Sequence, residues 1–243
     1  MQSKWISALL VTGCVALLSG IGFAAACPGA TYDHYLGLSC TITNPNNPSD
    51  VKTFNNFQYT SDSNPFGFGL PATSVFVTPI TTPLNPGFEF SGAWMAGGGI
   101  QSMDSLIQFT VNVSPGGALI TDMSLSMGGF GFSGLGSVHI NETICLGATF
   151  PACSGGIERT LEVFTSSSGT QRFDEISFAG VSEVDVQKDI LLNAGTESGG
   201  SAELSLVTNQ FSEGGAVPEP GSILLFGSGA LALAGVLRRK LHR

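Results

Sequence analysis

Several short segments of this 243-residue chain carry an apolar residue at every second position. The clearest runs from Ile107 to Val113, where Ile, Phe and two Val residues alternate with Gln, Thr and Asn. A period of two places one set of side chains on one face of a β-strand. The same pattern recurs in segments 88–90, 123–127, 138–140, 176–178 and 204–206. We therefore expect each segment to be a strand with one buried and one solvated face.

Turn-forming clusters separate these segments. Ser114–Gly117, Ser166–Gly169 and Glu197–Gly200 are rich in Ser and Gly, which interrupt strands at intervals that suit hairpins. No long segment with a 3.6-residue period lies between them. The chain is thus predicted to be all-β, with two antiparallel sheets packed as a sandwich or jelly roll. About 190 residues suffice for one sizeable core, so a single exported domain is expected.

Residues 182–193 fit two kinds of secondary structure. Ser182 followed three places later by Asp185 suits a helix start, whereas Val184 and Val186 alternate with polar residues and favour a strand. We predict the strand. The Asn- and Pro-rich stretch Asn44–Asp50 is predicted to be a loop.

The first 26 residues are typical of a secretory signal peptide. Lys4 precedes an apolar run from Ile6 to Leu18, and Ala24–Ala26 are small residues that suit signal-peptidase cleavage. Cleavage there leaves Cys27 first, which raises the alternative of a lipoprotein acylated on that cysteine. Ala24 stands where a lipobox prefers a residue like Leu, which disfavours this alternative.

Four cysteines remain once Cys14 is removed with the signal peptide. An even number in an exported protein indicates disulfides. Three connectivities are possible, and the pairs Cys27–Cys40 and Cys145–Cys153 close the shortest loops. The chain contains no Cys-x-x-Cys, so the spacing does not indicate a zinc site.

The exported segment is strongly acidic. Between Cys27 and Val217 it has seventeen Asp or Glu residues and four Lys or Arg residues, a net charge of −13. Nucleic acid is excluded as a partner, because a phosphate backbone requires a basic surface.

Motifs for catalysis are lacking. Gly129–Gly134 matches Gly-x-Gly-x-x-Gly, but an alternating segment follows it where a dinucleotide site requires a helix, so we interpret it as a bend or bulge. His34 and His139 are the only histidines of the exported segment, and His139 falls on the polar face of its segment. We expect no enzyme, no cofactor and no metal. A glycan hydrolase using distant acids such as Glu89 and Glu175 stays as an alternative.

Two sets of residues are candidates for a binding site. Five aromatic residues could form a platform for sugars, although burial in the core is the commoner fate of such side chains: Phe66, Phe68, Trp94, Phe130 and Phe132. Asp50, Asp62 and the Asn-rich loop could hold calcium through oxygen ligands, but the EF-hand spacing is missing.

The last 26 residues combine three features in order. Pro218, Glu219 and Pro220 favour an extended backbone. The sixteen uncharged residues from Ser222 to Leu237 give a helix of about 24 Å, a little under the roughly 30 Å of a bilayer core. Arg238, Arg239 and Lys240 then stop the span and hold this end in the cytoplasm. The rest of the chain is expected outside, and an uncut membrane anchor is the alternative to processing.

This tail resembles the sorting signal of the bacterial PEP-CTERM family. The resemblance covers residues 218–243, and Leu241–Arg243 extends the basic end slightly. It implies recognition by exosortase, a membrane-embedded enzyme resembling cysteine peptidases, and cleavage near Pro218, Glu219 and Pro220. It also implies release or transfer to the surface of a Gram-negative bacterium that makes exopolysaccharide.

The expected organisation is a signal peptide at 1–26, an exported domain at 27–213, a linker at 214–217 and the sorting signal at 218–243. The leading hypothesis is a non-enzymatic cell-surface or extracellular-matrix protein of a biofilm, lodged transiently in the inner membrane. Exosortase and exopolysaccharide are its candidate partners. The alternative is a secreted carbohydrate-binding or calcium-stabilised adhesion module, with a glycan hydrolase third.

Overall fold

The computed structural model of the protein describes residues 24–196 and 198–213. These residues form fourteen strands, a one-turn helix α1 (Tyr32–Tyr35) and a 3-10 helix (Ala72–Ser74). The strands are β1 (Ala25–Ala26), β2 (Ala30–Thr31), β3 (Cys40–Asn44), β4 (Asn47–Asn64), β5 (Phe76–Ile80), β6 (Gly87–Ala96), β7 (Ser102–Val113), β8 (Ile120–Ser133), β9 (Ser137–Leu146), β10 (Ile157–Ser166), β11 (Gly169–Gln171), β12 (Phe173–Val181), β13 (Glu183–Asn193) and β14 (Ser201–Glu213). Most of the predicted signal peptide and the whole sorting signal lie outside the described residues.

The strands form two sheets that pack face to face. The larger has the order β1-β3-β4-β7-β13-β9-β10-β11, and the smaller has the order β12-β8-β14-β6-β5-β2. Every pair among the described strands is antiparallel except β1 with β3. The predicted all-β antiparallel sandwich is therefore confirmed. Within the described ranges, no helix has the length and apolar character needed to cross a membrane.

The alternating segments lie in the strands as predicted, and most of their apolar residues point between the sheets. Leu206 differs, because a register shift between Leu204 and Leu206 breaks the alternation and leaves Leu206 partly exposed. Ile107, Phe109 and Val111 of β7 are fully buried, as are Val184 and Val186 of β13. Glu183–Asn193 is a strand, as its alternation predicted, because it pairs with β7 on one side and β9 on the other.

The predicted loop at Asn44–Asp50 is wrong. Residues 45–46 form a two-residue turn between β3 and β4, and Asp50 already lies within β4. The Asn44 side chain accepts a hydrogen bond from the Asn46 amide at 3.0 Å, and Asn47 accepts one from Ser49 at 3.2 Å. Such local bonds let an Asn-rich stretch close a tight hairpin.

Aromatic side chains fill the centre of the sandwich. Phe54, Phe88 and Phe109 are fully buried and contact one another with ring centroids 4.6 to 6.4 Å apart. Helix α1 contacts this cluster through Tyr35, whose ring centroid lies 5.7 Å from that of Phe88. The Tyr32 hydroxyl of the same helix donates to the carbonyls of Gln58 at 3.1 Å and Gln108 at 2.9 Å. The helix thus joins β4 and β7 across one edge of the core.

Two disulfides join the cysteines of the exported segment. Cys27 pairs with Cys40 and Cys145 pairs with Cys153, the connectivity with the shortest loops, so disulfide formation is confirmed. The Cα atoms are 4.7 and 5.5 Å apart, within the usual range. Because the Cys27 sulfur is bonded to Cys40, it has no free thiol for a lipid, which argues against the lipoprotein alternative.

Candidate functional site

A groove of about 780 Å³ opens at the end of the sandwich where the β6–β7 and β13–β14 loops meet. Its described lining residues carry no formal charge, although the exported segment is acidic: Asn64, Gly97, Gly98, Gly99, Ile100, Gln101, Ser102, Asn193, Ala194, Gly195, Thr196, Ser198, Gly199 and Gly200. Glu197, in the same loop, lies outside the described residues. Amide and hydroxyl groups both donate and accept hydrogen bonds, so the groove suits an uncharged polar ligand.

Glycines shape one wall of the groove. Gly98 and Gly99 have positive φ values of 59° and 108°, and a Cβ atom on either would meet open space. Two hydrogen bonds close the turn. The Gly97 amide donates to the Ile100 carbonyl at 2.7 Å, and the Ile100 amide donates to the Gly97 carbonyl at 3.1 Å. The backbone at Gly98 and Gly99 can therefore be approached closely by a ligand.

Phe66 and Phe68 lie exposed in the loop that follows Asn64. Their exposed fractions are 54% and 71%, and their ring centroids are 6.1 Å apart. Gly67, with φ of +71°, turns the chain between them, and the Ser63 hydroxyl donates to the Phe68 carbonyl. The expectation that these aromatics fill the core is wrong for this pair, because both lie in a turn instead of a strand.

The other three aromatics of the predicted platform lie elsewhere. Trp94 is 1% exposed in the core, where its Nε1–H donates to Ser105 Oγ at 3.2 Å. Phe130 is partly buried beneath the Arg172 guanidinium, which lies 4.8 Å from the ring centroid. Phe132 is 39% exposed near the end of β8. The structure thus leaves Phe66 and Phe68 as an exposed aromatic pair and assigns Trp94 to packing.

The acids proposed for catalysis or calcium do not come together. Glu89 on β6 and Glu175 on β12 are separated by three strand spacings, or about 14 Å, more than a pair of glycosidase carboxylates allows. Asp50 and Asp62 lie near opposite ends of β4, about 40 Å apart along an extended strand. Across the described residues, no three His, Cys, Asp or Glu side chains are arranged to hold a metal ion.

Three aspartates instead share the outer face of the larger sheet. Asp62 and Asp104 are register partners on β4 and β7, and Asp189 of β13 lines the same 340 Å³ depression. Burial, and then hydrogen bonding and charge repulsion from Asp104, raise the pKa of Asp189 to about 6.

The other motifs also have structural roles. Gly129–Gly134 lies at the end of β8 and is followed by strand β9; Gly129 has φ of +57° and accepts a hydrogen bond from Ser205 Oγ at 3.0 Å. His139 stacks on Phe164 with centroids 5.6 Å apart, and its Nδ1 lies 3.5 Å from Glu162. The glycine-rich segment and His139 therefore have structural roles at the surfaces of the two sheets.

Both lysines of the described residues are buried, which the sequence analysis missed. Lys52 is 1% exposed, and its Nζ lies 2.6 Å from Asp50 and 2.8 Å from Glu213. Burial opposes ionisation of Asp50, but hydrogen bonds from Glu213, Lys52 and Asn44 lower its pKa to about 2. Burial and the neighbouring Asp50 raise the pKa of Glu213 to about 7. The contacts of Lys52 with Asp50 and Glu213 join the last residue of β14 to β4.

The second buried lysine lies between the sheets. Lys188, Glu142 and Asn209 are each fully buried, and the Lys188 amine donates to Glu142 Oε2. Burial raises the pKa of Glu142 and lowers the pKa of Lys188. All three occupy positions in phase with apolar neighbours, such as Val186 and Ile190 beside Lys188. This spacing is the feature of the sequence that could have indicated their burial.

The C-terminal tail matches the model of a known protein family. The family model for the PEP-CTERM protein-sorting motif matches residues 216–240. A search of curated proteins finds no match. Among solved structures, TmCBM61 in complex with β-1,4-galactotriose is 13% identical, with 64% of this chain and 88% of that chain covered and a TM-score of 0.32. A TM-score of this size supports no inference about ligand or function. The chain thus carries a PEP-CTERM protein-sorting motif at residues 216–240, close behind the last strand of its β-sandwich.

Proposed function

We propose that this protein is exported, recognised by exosortase through its PEP-CTERM motif, and placed at the cell surface or in the extracellular matrix of a Gram-negative bacterium. The motif at residues 216–240 is the observation that carries this proposal. The two disulfides support it, because such bonds persist in oxidising compartments outside the cytosol. The sandwich acts there as a structural or adhesive domain, without catalysing a reaction.

Each part of the C-terminal tail has a role in delivering the protein to the cell surface. Residues 222–237 hold the precursor in the inner membrane, and Arg238, Arg239 and Lys240 keep their end in the cytoplasm. The domain then lies outside, joined to the membrane by the segment that contains Pro218, Glu219 and Pro220. Cleavage near this segment frees the domain from the membrane.

Replacing Pro218, Glu219 and Pro220 with alanine is expected to trap the precursor in the inner membrane, because the span remains while the recognition site is lost. Cell fractionation followed by immunoblotting measures the result. Alanine at Gly214 and Gly215 is the matched control and is expected to leave processing intact. Release of the Pro-Glu-Pro variant at the wild-type rate would contradict the proposal. The C-terminal residue of the released protein, from intact mass, locates the cut.

A second candidate function is binding of a neutral polysaccharide at the loop end of the sandwich. It is supported by the exposed Phe66 and Phe68 rings and by the groove, whose described lining residues carry no formal charge and include Asn64. Aromatic rings offer apolar faces, and amide or hydroxyl groups pair with sugar hydroxyls. The groove volume is also within the range of ligand sites.

The double substitution Phe66→Ala and Phe68→Ala is expected to weaken polysaccharide binding about fivefold or more, since two aromatic contacts are worth about 1–3 kcal/mol together. Pull-down with cellulose, chitin and purified exopolysaccharide provides the measurement. Phe173→Ala is the matched control, because Phe173 is 55% exposed on β12. Saturable binding that survives the double substitution unchanged would exclude this site.

A further inference from the structure

We propose that Lys188 and Asn209 become joined by an intramolecular amide bond, with Glu142 as the catalytic acid and base. The bond would link the larger sheet to the smaller one covalently. This inference rests on the buried cluster alone and goes beyond the proposed function.

The backbone brings the three side chains to one point between the sheets. Lys188 of β13 and Glu142 of β9 are register partners in the larger sheet, and Asn209 lies on β14 of the smaller sheet. The Lys188 amine donates to Glu142 Oε2, and Asn209 Nδ2 donates to Glu142 Oε1 at 2.7 Å. The nucleophile and the amide that it would attack therefore contact the two oxygens of one carboxyl group.

The surroundings favour a reactive amine. Fully buried apolar side chains flank each of the three residues two places away on its own strand: Ile140 and Ile144, Val186 and Ile190, Val207 and Phe211. An amine must be neutral to act as a nucleophile. Burial lowers the pKa of Lys188 and raises that of Glu142, so the environment favours a neutral amine beside a protonated acid.

The Lys52 cluster contains the same residue types and gives a contrast. Asn44 Nδ2 donates to Asp50 at 3.2 Å, and Lys52 contacts both Asp50 and Glu213. The pKa of Asp50 is lowered to about 2, and Glu213 gives the Lys52 amine a second carboxyl partner, which Lys188 lacks. We expect no amide bond in that cluster.

The reaction is an acyl transfer that balances without an oxidant. The Lys188 Nζ lone pair attacks Cγ of Asn209, and the Nζ–Cγ bond forms as the Cγ–Nδ2 bond breaks. Glu142 takes a proton from Nζ and gives one to Nδ2, which leaves as ammonia, so Glu142 ends unchanged. Asn209 Oδ1 is buried without a hydrogen-bond partner. Rotation of the amide would bring this oxygen to the Glu142 carboxyl group, which in its protonated form can stabilise the charge that develops on the oxygen.

Mass spectrometry of the exported full-chain protein, after reduction of the disulfides, tests the bond. The expected mass is lower than the sequence mass of the mature chain by one ammonia molecule. Trypsin is expected to cut after Arg172 but not after Lys188, because an acylated lysine is not a trypsin site. Fragmentation of the resulting peptide should place the link between Lys188 and Asn209.

Glu142→Gln keeps both reacting residues and is expected to abolish the bond, restoring the full mass and cleavage after Lys188. Asn44→Ala, in the Lys52 cluster, is the matched control and is expected to retain the ammonia loss. Wild-type protein with the full mass and a cleavable Lys188 would overturn the proposal, and this result does not depend on any variant folding. Loss of water instead of ammonia would overturn it too, since that product joins Lys188 to Glu142.

Discussion

Lys188→Met is expected to lower the free energy of unfolding by about 1–3 kcal/mol, the usual cost of leaving a buried polar group without its hydrogen-bond partner. Glu142 would then be fully buried without its main partner, and only Asn209 would still donate to it. The methionine would also remove the proposed link between β13 and β14. Equilibrium urea unfolding at neutral pH, followed by tryptophan fluorescence, measures the loss.

The double substitution Lys188→Met and Glu142→Leu is the control. It leaves no unpaired acid in the core, so it is expected to recover part of the stability that the single substitution loses. A single variant as stable as the wild type would show that the pair contributes nothing to folding. A double variant less stable than the single one would show that packing, and not the unpaired acid, sets the cost.

Trp94→Ala is expected to lower the free energy of unfolding by about 3–5 kcal/mol, because it removes a large side chain from a packed core. Trp94 is 1% exposed, and the substitution also leaves Ser105 without the indole donor. Circular dichroism during thermal unfolding provides a readout that does not need the lost fluorophore.

Met95→Ala is the matched control, since Met95 is the next residue on β6 and is 54% exposed. We expect its effect to stay within about 0.5 kcal/mol. A Trp94 variant of wild-type stability that lost polysaccharide binding would assign Trp94 to the ligand and would contradict its placement in the core.

The fold class was predictable because it depends on local periodicity. The alternation in Ile107–Val113 and at Val184 and Val186 is a property of neighbouring residues, and it survives in the final sheets. Disulfide formation was predictable from an even set of cysteines, and the structure contains the two pairs that close the shortest loops. The sorting motif is equally local, because its three parts are contiguous in the chain.

Features that depend on polar residues among apolar ones were harder to predict. Lys188, Glu142 and Asn209 keep the phase of their buried neighbours, but a charged or amide side chain is usually assigned to the surface. Only the pairing of β13 with β9 and the position of β14 opposite them show that the three can satisfy one another. Their partners are distant in sequence, so no local pattern reveals them.

The loop-end groove could not be predicted either. Its described walls come from Asn64 and from residues 97–102, 193–196 and 198–200, which the two-sheet topology brings together. Phe66 and Phe68 have the spacing of a strand face, but Gly67 turns the chain between them and leaves both exposed. Local spacing alone does not distinguish a strand from a turn of this kind.

Burial of both lysines has a consequence for how the domain can be attached to its surroundings. In the part of the chain that the structure describes, the exposed side-chain cations are the guanidinium groups of Arg159 and Arg172. Reducing sugars, aldehydes and acylating reagents that modify primary amines would therefore meet no lysine on the folded sandwich. Any covalent tether between this domain and a polysaccharide or cell envelope must use a chain terminus or a different functional group.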